Sequence, residues 1–427
     1  MSTSSHPARV VVLGGGFAGL AFCQALDDAR FQVTLIDRQN HHLFQPLLYQ
    51  VATAGLSMPD IAQPLRAILS DKPNITTLMD EVRRIDLDAK RVECAGHALE
   101  YDYLVIALGA QTGYFGHNEW ALHTVGLKSL EDAMDIRRRV LLAFEQAEMS
   151  EDSAEIERLL TMVVVGGGPT GVEMAGSLAE LARTVLNRDF RRIDPSKARI
   201  HLIEAGPKLL PMFPGELPDY TAAQLARLGV TVHVNCPVRE IGPNHVAAGT
   251  MTLSPSLIVW AAGVEASSVT RTLGETIPLD RGGRIEVLPD LSLPGHPEVF
   301  AAGDIASLTD RNGIKVPGVA PAASQMGRHI AKLIEQDKKF QAAARKFSTD
   351  VPRPAFAYWD KGAMATIGRS KAVAAAAGFR FTGFIAWLMW LFVHLMFLIG
   401  MRNRVSVFLQ WVWAYITWER GARIIVR

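Results

Sequence analysis

Gly14-Gly15-Gly16-Phe17-Ala18-Gly19 and Gly166-Gly167-Gly168-Pro169-Thr170-Gly171 both fit the spacing G-x-G-x-x-G. Each follows a short β-branched run (Val10-Val11-Val12 and Val163-Val164-Val165) and opens a helix-forming segment. A pyrophosphate is held by free backbone N–H groups at a helix N-terminus, and glycine lets the phosphates approach that closely. One such turn could be an ordinary tight turn. Two of them, each followed by an acid at the tip of a second strand, imply a chain that holds two dinucleotides. Those acids are Asp37, after Phe31-Gln32-Val33-Thr34-Leu35-Ile36, and Glu204, after Arg199-Ile200-His201-Leu202-Ile203. A carboxylate there accepts hydrogen bonds from a ribose diol and repels a 2′-phosphate. In isolation, a solvated strand end is the better reading of either acid.

Asp37 follows Gly14 at close to the expected spacing of about 20 residues, whereas Glu204 follows Gly166 at nearly twice that. The surplus is a polar stretch around Arg188-Asp189-Phe190-Arg191-Arg192-Ile193-Asp194-Pro195, which reads as a long helix end plus a loop. Ala205-Gly206-Pro207 brings no arginine for a 2′-phosphate, although Lys208 is near, so NADH is favoured over NADPH.

The elements that position these turns alternate between strand and helix, the pattern of doubly wound α/β domains. Residues 101–110, which include Gly109, and residues 257–263, which end at Gly263, each run a buried strand into a small-residue turn. They lie at matching places late in the two units, so the chain reads as an internal duplication. A further strand, Glu298-Val299-Phe300-Ala301-Ala302, ends in Gly303-Asp304 and completes the first unit. The fold class is therefore α/β, with two Rossmann-type domains, the second inserted in the first, and a C-terminal amphipathic or apolar helical membrane-anchor segment. The boundaries read as 1–115 and 285–335 for the first domain, 116–284 for the second and 336–427 for the tail.

The 427 residues carry 44 Lys+Arg against 43 Asp+Glu, and this net charge of +1 gives no reason to expect nucleic acid. The tail is different. Arg380, Arg402, Arg404, Arg420, Arg423 and Arg427 face one acid, Glu419, beside the apolar run GFIAWLMWLFVHLMFLIG at residues 383–400. Trp390, Trp411, Trp413 and Trp418 follow Trp387. Arginines and tryptophans belong at headgroup level, so helices lying in a membrane interface are favoured over a span, for which eighteen residues is short. A core role is the weakest reading, because the body before the tail looks complete. His394 within the run reads as a tolerated polar group. Cys23, Cys94 and Cys236 form no C-x-x-C and no metal-ligand cluster and read as free thiols in a reducing compartment. No signal peptide precedes the first strand, so the body is expected in the cytoplasm, peripheral to the inner membrane.

With these motifs in place, the chain resembles the type II NADH:quinone oxidoreductases. These are non-pumping NADH dehydrogenases within the two-dinucleotide-binding-domain flavoproteins. The most specific match is HHLFQPLLYQVATAG at residues 41–55, followed by FAAGD at 300–304, FAYWDKG at 356–362 and the tail. The resemblance implies FAD on Gly14, Gly15, Gly16, Phe17, Ala18 and Gly19. Asp37 would lie at its ribose, Gln45 and Pro46 beside the flavin and Asp304 on the ribityl–phosphate side, with Arg38, Gly109 and Gly303 also among the cofactor-binding residues. It implies NADH on Gly166, Gly168, Pro169, Thr170, Gly171, Glu204 and Gly263. It further implies hydride transfer from NADH to FAD and two-electron reduction of a membrane quinone, which enters through a pocket bordered by the tail.

Two residues are implied as catalytic. Glu173 is expected in the first turn of the second fingerprint's helix, pointing to where nicotinamide would meet flavin; a helix-terminal acid stabilised by the dipole is the plainer alternative. Gln325 ends a stretch matching the family's A-Q-x-A-x-Q motif, in which Pro321 replaces the first glutamine. It either donates to a quinone carbonyl or ties down the flavin. A sulfide:quinone oxidoreductase would need a redox cysteine pair, which these cysteines do not offer, and a redox-sensing binding module is the non-enzymatic alternative. Self-association as a homodimer is left open.

Overall fold

The structure is a computed structural model describing residues 7–26, 29–344 and 353–425. The elements that position the sites begin with β1 (Ala8–Leu13), α1 (Phe17–Ala25), β2 (Phe31–Asp37), α2 (Leu48–Ala52), β3 (Ile75–Met79) and β4 (Tyr103–Ile106). Next come β5 (Thr161–Val165), α3 (Pro169–Glu180), β6 (Arg199–Ile203), β7 (Val230–His233) and β8 (Leu257–Trp260). The remainder are β9 (Ser292–Leu293), β10 (His296–Ala301), α4 (Ala320–Ala344), β11 (Ala363–Gly368), β12 (Lys371–Ala376), β13 (Phe379–Thr382), α5 (Gly383–Phe397) and α6 (Met401–Thr417).

Among the described residues the chain falls into two compact units. One comprises the chain up to His42, Gln63–Gln111 and Val264–Asp360; the other comprises Leu43–Ala62, Thr112–Gly263 and the chain from Lys361 onwards. In the first, a six-stranded sheet has the order β9-β10-β4-β1-β2-β3, parallel except for the β9–β10 pair. β1 lies in the middle, with Val10 opposite Val33 on one side and Tyr103 on the other. Nearly all of β1 and β4 is buried, as expected for parallel strands covered on both faces. α1 packs on α4 at backbone distance, because a Cβ on Gly327 would stand 2.1 Å from the Ala18 carbonyl oxygen.

In the second unit, a parallel sheet in the order β7-β6-β5-β8 repeats the arrangement. The strand entering the glycine turn is again central, with the acid-tipped strand on one side. α3 does not stop at Glu180 but runs on through a wide π-type turn (Leu181–Val185) and a 3-10 turn (Leu186–Arg188), which accounts for the long spacing to Glu204. A three-stranded antiparallel sheet, β11-β12-β13, carries α5. α3 approaches it so closely that a Cβ on Gly176 would lie 1.9 Å from the Ile367 oxygen.

The tail corrects one expectation, that a core role is its weakest reading. The apolar run is not one helix: α5 ends at Phe397, and Gly400, at φ +83°, turns the chain into α6. Fifteen residues span about 22 Å, short of a hydrocarbon core of roughly 30 Å. Among the described residues no helix is long and apolar enough to cross a membrane. The tail is also part of the core, with Trp390 and Ala386 of α5 and Val407 of α6 at most 1 % exposed.

α6 turns its polar residues inward. Asn403 donates to the Pro59 carbonyl (2.9 Å), Ser406 and Gln410 both donate to Asp60 Oδ1 (3.0 Å), and Trp411 donates to Gln50 Oε1 (2.8 Å). Its apolar residues face away: Val405, Phe408, Leu409, Trp413 and Ile416 are between 50 % and 71 % exposed. α5 similarly exposes Phe384, Ile385 and Phe392.

Candidate functional site

Positive φ or close approach explains Gly14, Gly19, Gly166 and Gly171 of the two turns. Gly14 (φ +100°) and Gly166 (φ +112°) start them, where a Cβ would stand 2.3 Å from the Ala107 oxygen and 2.7 Å from the Ala261 carbonyl. A Cβ on Gly19 or Gly171 would strike the oxygen of Gly14 or Gly166 at 1.9 and 1.8 Å. At Gly16 and Gly168, the N-caps of α1 and α3, a Cβ would meet no heavy atom within 4 Å. Neither helix has a side-chain cap or an acid in its first turn, so its leading N–H groups face open space. Pro169 stands at the start of α3, where its missing N–H costs nothing. Phe17, Ala18 and Thr170 contribute the first backbone positions of the two helices.

The two acids are bound alike. Asp37 accepts from the N–H of Gly15 (2.6 Å) and of Gln39 (2.7 Å); Glu204 accepts from Gly167 and Gly206, both at 2.6 Å. The irregular spacing of Glu204 therefore leaves its geometry intact, because β5 and β6 pair in the same register sense as β1 and β2. Burial pushes the Asp37 carboxyl upwards, and the Gln39 and Gly15 N–H groups oppose the shift. Arg38 is exposed beside it.

In the first unit Gly303 (φ +78°) follows β10, and Asp304 makes no side-chain hydrogen bond among the described residues. Gly109 (φ +68°) opens the turn after β4 with nothing crowding it. Gln325, on α4, is committed to the chain itself: its Nε2 donates to the Trp359 carbonyl and its Oε1 accepts from the Trp359 N–H, each at 3.0 Å. One amide hydrogen is left over. Pro321 falls in the first turn of α4, where proline is tolerated.

In the second unit Gln45 donates to the Lys128 carbonyl (3.3 Å), and Pro46 lies in a 3-10 turn, Gln45–Leu47. Gly263 (φ +150°) lies where a Cβ would meet Phe115 at 2.7 Å. Glu173 corrects the sequence reading: it sits in the second turn of α3, so the dipole explanation lapses. Its Oε1 accepts from the Thr366 N–H of β11 (3.3 Å), and burial pushes its carboxyl up to about 8. The Trp390 indole N–H approaches closely enough to moderate that shift but has no partner in hydrogen-bond geometry. Since Oε1 is engaged as an acceptor, the proton belongs on Oε2.

A raised carboxyl favours folding below its ordinary value near 4.5 and loses that contribution as pH climbs to about 8. Wild-type stability is therefore expected to fall across this window relative to Glu173→Gln, by up to a few kcal/mol. Urea midpoints for both proteins at about pH 5 and about pH 8.5 check the difference.

Glu173 lines a cavity of ≈ 130 Å³ shared with Tyr49, Ser177, Trp387, Trp411 and Tyr415. Its far wall is a buried ion pair that sequence reasoning missed. Arg420 bonds Glu180 at 3.2 Å and the Thr53 carbonyl at 2.9 Å, while the Arg369 N–H also donates to Glu180. The Arg369 guanidinium lies 4.0 Å from the Tyr415 ring and 3.7 Å from that of Trp418. Arg420, which the sequence groups with the arginines of a membrane surface, is spent internally, and Arg423 pairs with Asp189. Arg427 lies outside the described residues. No sequence signal distinguishes an arginine facing lipid from one facing a glutamate 240 residues away. His394 donates to the Trp390 carbonyl (2.7 Å), and burial lowers it to about 4. The three cysteines are free, and burial pushes the Cys23 thiol up to about 12.

Residues 8–327 match the pyridine nucleotide-disulphide oxidoreductase family, and residues 360–417 match the NDH2 C-terminal domain. The chain is 43% identical over 424 residues to the type II NADH:quinone oxidoreductase Ndh of Mycobacterium tuberculosis, covering 97% of this chain and 89% of that protein. Its similarity to NdhA of the same organism is 41% over 431 residues, covering 98% and 89%. NDH2 from Plasmodium falciparum, solved in complex with NADH, has the same fold, with a TM-score of 0.89 at 22% identity over 99% of this chain and 100% of that one.

Proposed function

The chain belongs to the pyridine nucleotide-disulphide oxidoreductase family and, within it, to the type II NADH:quinone oxidoreductases. On that premise we propose which of its residues bind FAD, NADH and quinone, and how it meets the membrane. The residues fit FAD: an uncapped helix N-terminus with open space at Gly16, an acid at the ribose distance in the fingerprint and an unbonded Asp304 are what a dinucleotide requires. In this reading residues 1–115 and 285–335 hold FAD, residues 116–284 hold NADH and residues 336–427 serve membrane association.

When bound, FAD supplies the two-electron chemistry, taking hydride from NADH and passing electrons to quinone without proton pumping. The leading N–H groups of α1 and α3 bind the two pyrophosphates. Asp37 and Glu204 accept from ribose hydroxyls, and each simultaneously holds its glycine turn in shape. Glu173 holds a proton on Oε2 at neutral pH, in a cavity walled by aromatic rings, where quinone binds. What supports this most is the combination of a neutral acid in an aromatic cavity with helices that expose apolar residues. α5 and α6 lie in the membrane interface, peripheral to the cytoplasmic face of the inner membrane. Steady-state oxidation of NADH with a short-chain benzoquinone tests the activity, and absence of quinone-dependent turnover would sink it.

Replacing Glu204 by serine together with Ala205→Arg is expected to raise the NADPH/NADH ratio of kcat/KM by about tenfold or more. An unchanged ratio would remove Glu204 from the ribose site.

A further inference from the structure

The hydrogen bonds at one wall of the cavity run in a single direction. An indole N–H can only donate, so the Trp411–Gln50 bond (2.8 Å) requires the Gln50 amide to present Oε1 to α6. That choice turns the Gln50 Nε2 towards Tyr49, whose hydroxyl oxygen accepts from it at 3.0 Å. Nε2 cannot accept, so the phenolic hydrogen must go elsewhere. Among the described residues no acceptor for it lies in hydrogen-bond geometry, yet Tyr49 is only 5 % exposed and its side chain lines the cavity. The ring is held by Trp390, edge-on at 6.4 Å between centroids, and α2 is pinned by Thr53, which donates to the Tyr49 carbonyl. A buried donor left unmet is costly, so the site is built for an acceptor that the protein does not supply. A cavity of this size holds about one six-membered ring.

We propose that the Tyr49 hydroxyl donates a hydrogen bond to a carbonyl oxygen of the quinone, and that Gln50 and Trp411 are positioning residues that dictate the direction of this donation. The proposal rests on the reading that quinone occupies this cavity. It makes α6 more than an attachment device: its inward Trp411 sets the polarity of the chain that ends at the substrate.

The test uses the full-length, flavin-loaded enzyme with a short-chain benzoquinone, and ferricyanide as an acceptor that needs no cavity. Benzoquinone binding to the oxidised enzyme is followed separately by quenching of tryptophan fluorescence. Tyr49→Phe is expected to weaken binding and raise the quinone KM roughly three- to tenfold, with ferricyanide reduction unchanged. Gln50→Glu preserves shape and still accepts from Trp411, but its second oxygen also accepts from Tyr49, which reverses the donation. It is expected to lose as much as Tyr49→Phe, and the double variant no more than either. Wild-type quinone affinity in both single variants overturns the proposal, and additive losses overturn the positioning role of Gln50. Ala414 of α6 also lines the cavity, and Ala414→Trp, which fills it, separates the two levels: it is expected to abolish quinone reduction alone. Intact quinone turnover in that variant would overturn the cavity reading and the proposal with it.

Discussion

Gly168→Val is expected to yield a yellow protein that NADH no longer bleaches, whereas Gly16→Val is expected to yield a folded but colourless one. The two positions are the cleanest places to separate the turns, because both have room for a Cβ without backbone strain. Both residues have extended backbone (φ −70° and −72°), and a Cβ meets no heavy atom within 4 Å at either. The same change at Gly14 or Gly166 would confound ligand loss with backbone strain at positive φ. A branched side chain at the helix N-cap occupies the space through which a pyrophosphate reaches the N–H groups, and losing those charge-assisted bonds costs several kcal/mol, about two orders of magnitude in affinity or more. Flavin absorbance per protein and stopped-flow bleaching by NADH read the two losses independently. If Gly168→Val emptied the protein of flavin and Gly16→Val did not, the roles of the turns would be exchanged.

The triple substitution Phe408→Glu, Trp413→Glu and Ile416→Glu is expected to release the enzyme from membranes with its flavin and ferricyanide activity intact. These side chains are at least 50 % exposed and belong to the outward face of α6, so the fold does not depend on them. Burying three large apolar side chains in a membrane interface contributes roughly 5 kcal/mol, and the partition falls about a thousandfold or more without them. Deleting the tail would be a poor test. It would strip Trp390 from the core, leave Asp60 without Ser406 and Gln410, and leave Glu180 buried without Arg420, at a cost of several kcal/mol for the orphaned charge. Flotation of the triple variant with liposomes containing anionic lipid reads the result. Continued co-flotation would show that α6 is not the attachment surface.

The two glycine turns were legible because their requirements are local. A turn that needs positive φ at Gly14 and Gly166 and close backbone approach at Gly19 and Gly171 leaves glycine as the residue that fits, and glycine is visible in a sequence. Asp37 and Glu204 were legible for the same reason, each at the end of a β-branched strand. Glu173 falls one residue beyond the first turn in which it was expected, and that shift changes its chemistry, because it faces β11 and the α5 indoles rather than the end of a helix dipole.

By itself, the sequence determined the α/β class, the two glycine turns with their acids, and a tail with both apolar and basic residues. Only the tertiary structure decided which of those residues face the body and which face out. Hydropathy counts residues along the chain, whereas inside and outside are settled by which face of a helix meets the body. α6 meets it with Asn403, Ser406 and Gln410, so its apolar residues point out, and Arg420 reaches back to Glu180 instead of to a headgroup. The direction of the Trp411–Gln50–Tyr49 chain was likewise beyond any sequence pattern. It depends on an indole donor more than 350 residues from its acceptor, brought there by packing alone.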